Sequence, residues 1–181
     1  KGAWGYHPLV ISLAETGEVL RLVNRPGNRP SHEGAAEEAD AAIHLCRRAG
    51  FRSIVFRGDT AFSQSEKLDG WDEDGVTFYF GFKAMPNLEE IADNLPKTAW
   101  RSLLRPPRYE VKTEARERPV NVKQRVIRRR QFEVLRLKNE DFAEFEYQPT
   151  ECEQPYRMVV VRKDIAHEKG QQRLFDEIRY F

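Results

Sequence analysis

One carboxylate stands where α/β proteins commonly place their chemistry. Asp59 follows a short apolar run, residues 51–56, which comes directly after an alanine-rich segment ending at Gly50. This order predicts a helix, a strand, and then Asp59 beyond the carboxyl end of that strand, where α/β sheets hold their ligands. A carboxylate oxygen is a hard donor of the kind that Mg²⁺ prefers. One carboxylate cannot make a metal site, so we expect this chain to hold part of one.

Asp59 also has a simpler interpretation. An Asp that follows a strand often forms a turn, or caps the next helical segment by accepting a backbone hydrogen bond. The residue after it, Thr60, could cap the same segment or lie near a metal. The residue types alone leave the metal and capping interpretations open.

A basic block, residues 116–138, is the second feature that could do chemistry. It contains nine Lys or Arg residues against two Glu, which is the electrostatic footprint of a polyanion-binding surface. Its candidate DNA-binding residues are Lys123, Arg125, Arg128, Arg129 and Arg130. If residues 120–137 form a strand, Arg128 and Arg130 share one face and can clamp phosphates. The alternative is neutralisation, because residues 139–153 carry six acidic residues that could pair with the basic strand across a hairpin.

The elements that would position these residues are a mixture of helices and strands. Residues 6–14 and 19–23 predict a hairpin, because Gly17 can adopt the positive φ of a tight turn. A helix at 36–49 and the strand before Asp59 follow. The further predicted elements up to Pro96 are a helical segment at 63–72, an aromatic strand at 76–82 and a short helix beginning at Asn87.

Beyond Trp100 the sequence changes character and predicts a β-rich region. Its expected strands are 109–113, 120–137, 142–147 and 156–162, and a short helix is expected at 172–177. With 181 residues, 33% charged and 40% apolar, the chain is expected to be globular, with one core and an elaboration. No apolar run approaches the roughly 20 residues that cross a bilayer. The chain starts at Lys1 and stops at an aromatic pair, so we expect a fragment of a longer protein.

Five short motifs together resemble the DDE transposases of bacterial insertion sequences. They are WGYHPL at 4–9, NRPGNR at 24–29, SHEGA at 31–35, LCRRAG at 45–50 and RGDT at 57–60. The resemblance covers essentially the whole chain and is most specific between residues 4 and 63. One branch of that family carries a β insertion between its last core strand and the helix with the catalytic Glu, which fits the β-rich region.

The resemblance implies an α/β fold: a ribonuclease H-like mixed sheet that lacks its first strand and carries a β-rich insertion. The expected divisions are a partial catalytic core at 1–99, the insertion at 100–163 and a truncated return to the core at 164–181. In that fold the first strand lies between the hairpin and the strand before Asp59. We therefore expect residues 9–13 and 53–56 to show a gap, an unusual direct pairing, or a partner chain between them.

The resemblance also implies metal-dependent cleavage and transfer of DNA strands at transposon ends. Two Mg²⁺ or Mn²⁺ ions would be held by an Asp-Asp-Glu triad in which Asp59 is the second Asp. The first Asp and the Glu would lie outside the chain, so the fragment alone is expected to be inactive. The expected partner is double-stranded DNA, with no membrane; a homodimer is one assembly to consider, and the expected location is the bacterial cytoplasm, with the nucleoid.

Two other functions remain to be weighed. One is a non-catalytic DNA-binding or interaction fragment of the same fold. The other is a haloacid-dehalogenase-type phosphatase, which also uses a strand-terminal Asp. That chemistry needs a second Asp two residues later, and here the position is Ala61, so we disfavour it.

Overall fold

The structure is a computed structural model that describes residues 5–106, 122–169 and 172–181. It confirms a mixed α/β class, with eight strands and four α-helices in the described ranges. The chain divides into two compact units, one of Lys1–Lys83 with Tyr147–Tyr156 and one of Ala84–Glu146 with Arg157–Phe181. Among the described helices, none is both long and apolar enough to span a membrane. The predicted domain boundaries after residues 99 and 163 stay predictions.

The first unit contains two separate two-stranded sheets. Strands β1 (Leu9–Ser12) and β2 (Val19–Val23) form the predicted antiparallel hairpin, in which Gly17 has a φ of 74°. Strands β3 (Ile54–Gly58) and β4 (Val76–Phe80) pair in parallel, with Ile54 opposite Val76. The expected strand before Asp59 is therefore confirmed.

Helices α1 (Ala35–Arg48) and α2 (Leu68–Glu73) pack against these strands. The packing centres on Trp71, whose ring meets Phe56 edge to face at 5.3 Å between centroids, a favoured aromatic geometry. Cys46 on α1 and Cys152 are both buried free thiols, and burial raises the pKa of Cys152. The buried residues of this core are Ala39, Ile43, Leu68, Trp71, Val76 and Cys152.

The hairpin and the parallel pair are not joined into one sheet. Among the described strands, β1 has β2 as its neighbour and β3 has β4, and no ladder connects β1 to β3. A cavity of about 840 Å³ lies between them and is lined by residues of both strands and of α1. Of the three expected outcomes at this place, the structure shows the gap.

The elements of the second unit are α3 (Pro86–Asn94), β5 (Arg101–Ser102), α4 (Val122–Arg130), β6 (Glu133–Tyr147), β7 (Tyr156–Lys169) and β8 (Gln172–Tyr180). Its strands form a four-stranded sheet in the order β5-β6-β7-β8. Ala143 of β6 and Val160 of β7 pack against Ala92 of α3. The strands expected at 142–147 and 156–162 are present and longer than predicted.

Two expectations in this region are wrong. Residues 122–130, predicted as part of a strand, form helix α4, because Lys, Gln and Arg fill six of its nine positions and are good helix formers. Residues 172–177, predicted as a helix, belong to β8, which pairs antiparallel with β7 from Gln172 opposite Lys169 onwards. The strand expected at 109–113 lies outside the described residues.

A buried histidine joins three strands of this sheet. His167 of β7 places Nδ1 3.1 Å from a carboxylate oxygen of Glu133 on β6 and Nε2 2.7 Å from one of Glu177 on β8. Its ring stacks on Phe175 at 4.2 Å between centroids, and Arg179 donates two hydrogen bonds to Glu177. Because both ring nitrogens face carboxylates, the ring donates from both only as the charged imidazolium.

Candidate active site at the end of the third strand

Asp59 is the first residue after β3 and caps a short 3₁₀ turn, Thr60–Phe62. Its Oδ1 accepts a hydrogen bond from the Ala61 N–H at 2.9 Å. The capping interpretation therefore accounts for one carboxylate oxygen. The other oxygen has no hydrogen-bond or ion-pair partner among the described residues, and the side chain is exposed. Thr60 is the first residue of the turn rather than its cap.

Two glycines hold the Asp59 loop close to the end of β4. The Gly81 N–H donates to the Gly58 carbonyl at 3.3 Å. A Cβ added at Gly81 would lie 2.7 Å from Thr60 Oγ1, and one added at Gly58 would lie 2.9 Å from the Phe80 ring. Real Cβ atoms do not approach this closely, so both positions need a residue without a side chain. The sequence alone does not identify either glycine as functional, although each lies near the end of a predicted strand.

Asp59 lines the 840 Å³ cavity between β1 and β3. Gln64 lines the same cavity, and its Nε2 donates to the His32 carbonyl at 2.8 Å. The Gln64 Oε1 is buried and has no hydrogen-bond partner within the part of the chain that the structure describes. A buried amide oxygen without a donor is a costly arrangement in a folded protein.

The unpartnered oxygen of Asp59 is of the type that a divalent cation binds, but it is one ligand where several are needed. Carboxylate oxygens are among the donors that Mg²⁺ accepts. However, the described residues contain no group of three or more His, Cys, Asp or Glu side chains that could hold a metal ion. An exposed carboxylate oxygen such as that of Asp59 can serve as one ligand of such a cation. The role of Asp59 in a metal site stays a prediction.

The basic candidates lie in the other unit, on helix α4. Lys123, Arg125, Arg129 and Arg130 are exposed there, and none of the four has an ion-pair partner in the described ranges. Arg128 and Arg130 were expected to share one face of a strand, and this is wrong because both lie on a helix. Positions two residues apart on a helix are about 200° apart around its axis and do not share a face.

Neutralisation by residues 139–153, the alternative to a polyanion-binding surface, is not seen for the exposed cations of α4 within the described ranges. Just beyond the helix, Arg136 pairs with Glu168 at 3.1 Å and Lys138 pairs with Asp176 at 2.9 Å. Those acids lie on β7 and β8 rather than in the predicted acidic stretch. Helix α4 contains no acidic residue, so among the described residues its exposed cations, Lys123, Arg125, Arg129 and Arg130, form an uncompensated positive surface.

Comparison with known proteins places the chain in a family. The family model for the transposase DDE domain, group 1, matches residues 1–175. The chain therefore belongs to the DDE transposase domain family, which confirms the resemblance found in the sequence. Proteins of this family act on DNA and generally use divalent metal ions. No curated protein and no solved structure matches the chain.

Proposed function

We propose that this chain is part of the catalytic domain of a DDE transposase, with Asp59 as the second Asp of the catalytic triad. The observation that carries the proposal is the position of Asp59, exposed at the carboxyl end of β3 with one carboxylate oxygen unpartnered among the described residues. In the proposed fold, the hairpin β1–β2 and the pair β3–β4 are two parts of one ribonuclease H-like sheet, and the second unit contains the β-rich insertion.

The cap at Asp59 prepares the side chain for a ligand role. The hydrogen bond from Ala61 N–H occupies Oδ1 and fixes the carboxylate, so Oδ2 is the atom offered to a cation. The complete triad would hold two Mg²⁺ or Mn²⁺ ions, which would supply activation of the attacking hydroxyl and stabilisation of the leaving oxygen of the DNA strand. Asp59 alone does not hold two ions, so we propose that this chain by itself is inactive.

The substitution Asp59→Asn tests the ligand role. Asn can keep the cap through its amide oxygen while removing the charge that a cation requires. In a transposase that contains this chain with its full triad, we expect Mn²⁺ to broaden the amide resonances of Thr60 and Ala61 and to lose this effect in the variant. In the same protein, strand cleavage should fall by more than about 100-fold, while DNA affinity stays the same.

The matched control is Asp74→Asn, which removes another exposed carboxylate, at the end of α2. It should leave both the Mn²⁺ effect and the cleavage rate unchanged. Equal cleavage by the Asp59 variant and the parent protein would remove Asp59 from the mechanism.

We further propose that helix α4 contacts the phosphates of double-stranded DNA at transposon ends. Its exposed cations have no acidic partners among the described residues, and phosphate contacts of this kind position DNA without reading its sequence. The proposed residues are Lys123, Arg125, Arg128, Arg129 and Arg130. Such a protein would work in the bacterial cytoplasm, with the nucleoid, and a homodimer would be one way to hold two ends.

The salt dependence of DNA binding tests helix α4. Replacing Arg128, Arg129 and Arg130 by Gln should flatten the slope of log affinity against log salt by about 0.9 for each phosphate that is no longer neutralised. The control is the triple change of Arg136, Arg173 and Arg179 to Gln, which removes the same charge from arginines already paired with acids. An unchanged slope in the α4 variant, or an equal change in both variants, would place α4 away from the DNA.

A non-catalytic DNA-binding or interaction fragment is the second candidate function. It is favoured by the lack of a three-residue metal cluster among the described side chains. The two candidates differ in the Mn²⁺ experiment, because a binding fragment would show the salt dependence of α4 without a metal effect at Asp59.

A further inference from the structure

Strands β3 and β4 have one face towards the core of the first unit and one exposed face. Exposure alternates along both strands, and Phe56 is one of the side chains that pack against the core. Successive residues of a strand point to opposite faces. The exposed side chains therefore share the face away from the core; they are Val55, Arg57, Thr77 and Tyr79. On that face Arg57 lies opposite Tyr79 in the parallel register.

Asp59 continues the exposed face of β3. Its backbone is extended, with φ −80° and ψ −176°, so the alternation of the strand carries on past Gly58. Arg57 and Asp59 are therefore on the same side, and two extended residues place their Cα atoms about 6.6 Å apart. Both residues line the cavity of about 840 Å³, and Arg57 is the one Lys or Arg among the described residues that line it.

The guanidinium of Arg57 has no hydrogen-bond or ion-pair partner in the described part of the chain. The carboxylate of Asp59 is close in sequence, but its Oδ1 accepts from the Ala61 N–H instead. The guanidinium also does not lie over the ring of Tyr79, its neighbour across the ladder. A guanidinium has five N–H donors, and those of Arg57 meet no protein acceptor within the described ranges.

A phosphodiester is the ligand that this arrangement of charges suits. Its two non-bridging oxygens match the fork of a guanidinium, which can donate two parallel hydrogen bonds to them. A carboxylate repels a phosphate, and a cation on the same face, about 6.6 Å away along the strand, offsets that repulsion. A phosphate beside Asp59 can therefore be held by Arg57.

Strand cleavage exchanges two bonds at phosphorus. The oxygen of the attacking hydroxyl bonds to phosphorus while the bond to the leaving oxygen breaks. The attacking hydroxyl gives up its proton, and the leaving oxygen takes one up. The two non-bridging oxygens keep their bonds and carry negative charge in the transition state. Preorganised donors at such oxygens stabilise the transition state.

We propose that Arg57 binds the non-bridging oxygens of the phosphate that is cut and stabilises their charge in the transition state. Arg57 is then a catalytic residue that neither donates nor accepts a proton. Its role differs from that of the cations of α4, which contact phosphates that do not react. This role rests on the proposed function and deepens it, because it names the residue that holds the reacting phosphate.

DNA binding without metal tests the contact. The protein is a transposase that contains this chain, and the probe is its double-stranded transposon end, with and without a methylphosphonate at the phosphate that is cut. Binding is measured in EDTA, so that no divalent cation contributes. We expect Arg57→Gln to weaken binding of the natural duplex by about tenfold, the size of one charge-assisted contact. The methylphosphonate should weaken binding by the parent protein equally and have no further effect on the variant.

The matched control is Arg52→Gln, which removes an exposed arginine two residues before β3 and outside the described lining of the cavity. It removes the same charge and should leave the full effect of the methylphosphonate in place. Both variants should melt at the temperature of the parent protein, because both side chains are exposed. A methylphosphonate that weakens binding equally in the parent and in Arg57→Gln would overturn the proposal.

Strand cleavage at saturating DNA is the second measurement. Arg57→Ala should slow it by at least about 100-fold, as the loss of a transition-state donor does. Arg57→Lys should recover part of the rate, because an ammonium keeps the charge and loses the fork. Added methylguanidinium should restore part of the activity of Arg57→Ala and none of that of Asp59→Asn. Cleavage by Arg57→Ala at the rate of Arg52→Gln would contradict the role of Arg57.

Failure of this role is distinct from failure of the proposed function. If Asp59→Asn abolishes cleavage and Arg57→Ala cleaves at the parent rate, the catalytic role of Asp59 stands and that of Arg57 is wrong. If Asp59→Asn cleaves at the parent rate while the methylphosphonate still distinguishes the parent from Arg57→Gln, Arg57 binds the phosphate and the catalytic role of Asp59 is wrong.

Discussion

Gly81 and Gly58 determine how closely the loop with Asp59 can approach the end of β4. The predicted position of Asp59 followed from the order of elements, because a helix, a strand and then an acid is a local pattern. The role of the two glycines could not be predicted in the same way. It depends on the distance between Thr60 and Gly81, which are far apart in sequence and meet only through the parallel pairing of β3 and β4.

At this scale we predict the effect of Gly81→Ala. The new Cβ would lie 2.7 Å from Thr60 Oγ1 and 3.0 Å from its backbone nitrogen, so the turn capped by Asp59 must shift. Overpacking of this kind costs about 1–3 kcal/mol of unfolding free energy, measurable by urea denaturation. Gly70→Ala is the control, because a Cβ there meets nothing within 4 Å on helix α2. It should stabilise the chain by about 0.4–1 kcal/mol, and an equal loss in both variants would contradict the close approach.

Among the elements, the three-strand contact of His167 has a consequence for pH. The hydrogen bond to Glu133, and to a lesser extent the one to Glu177, raises the pKa of His167. The hydrogen bonds from Arg179, and to a lesser extent the one from His167, lower the pKa of Glu177 to about 2. A histidine whose pKa is raised on folding contributes stability that is complete below its unfolded pKa of about 6.5. That contribution is lost as pH rises through its folded pKa. The Glu177 contribution is present above about pH 4.3 and falls as pH drops towards about 2.

We therefore predict that His167→Gln destabilises the chain most between about pH 4.5 and 6.5. The difference in unfolding free energy between the parent chain and the variant should shrink as pH rises to about 9, measured by urea denaturation at each pH. His44→Gln, which removes an exposed histidine from α1, is the control. A difference that stays constant from about pH 5 to 9 would show that His167 contributes by packing on Phe175 rather than by charge.

Helix α4 and strand β8 show why elements of the second unit were harder to predict than those of the first. The run Val122–Arg130 contains both β-branched residues and good helix formers, so short-range preferences conflict. The residues of β8 do not alternate regularly between polar and apolar, and some of their contacts reach beyond the neighbouring strand, such as the ion pair of Asp176 with Lys138 of β6 at 2.9 Å. Contacts of that range leave no periodic pattern in the segment itself.

On the scale of the whole molecule, the chain leaves the first unit after Lys83 and returns to it for Tyr147–Tyr156. The return is held within that unit by Tyr156, whose hydroxyl donates to Asp69 at 2.5 Å, and by the Glu153 N–H, which donates to the same carboxylate at 2.7 Å. The α/β class and the order of elements up to α3 could be predicted from turn residues and periodicity. The return could not, because Asp69 and Tyr156 are joined by a contact across 87 residues.

The two cysteines buried within this first unit also have a practical consequence. Cys46 and Cys152 are the two cysteines of the chain, and both thiols are shielded from solvent. Maleimide dyes should therefore react slowly with the folded protein. A cysteine introduced at an exposed position would then carry a fluorophore selectively, so that distances within the chain could be followed by energy transfer without first removing the natural thiols.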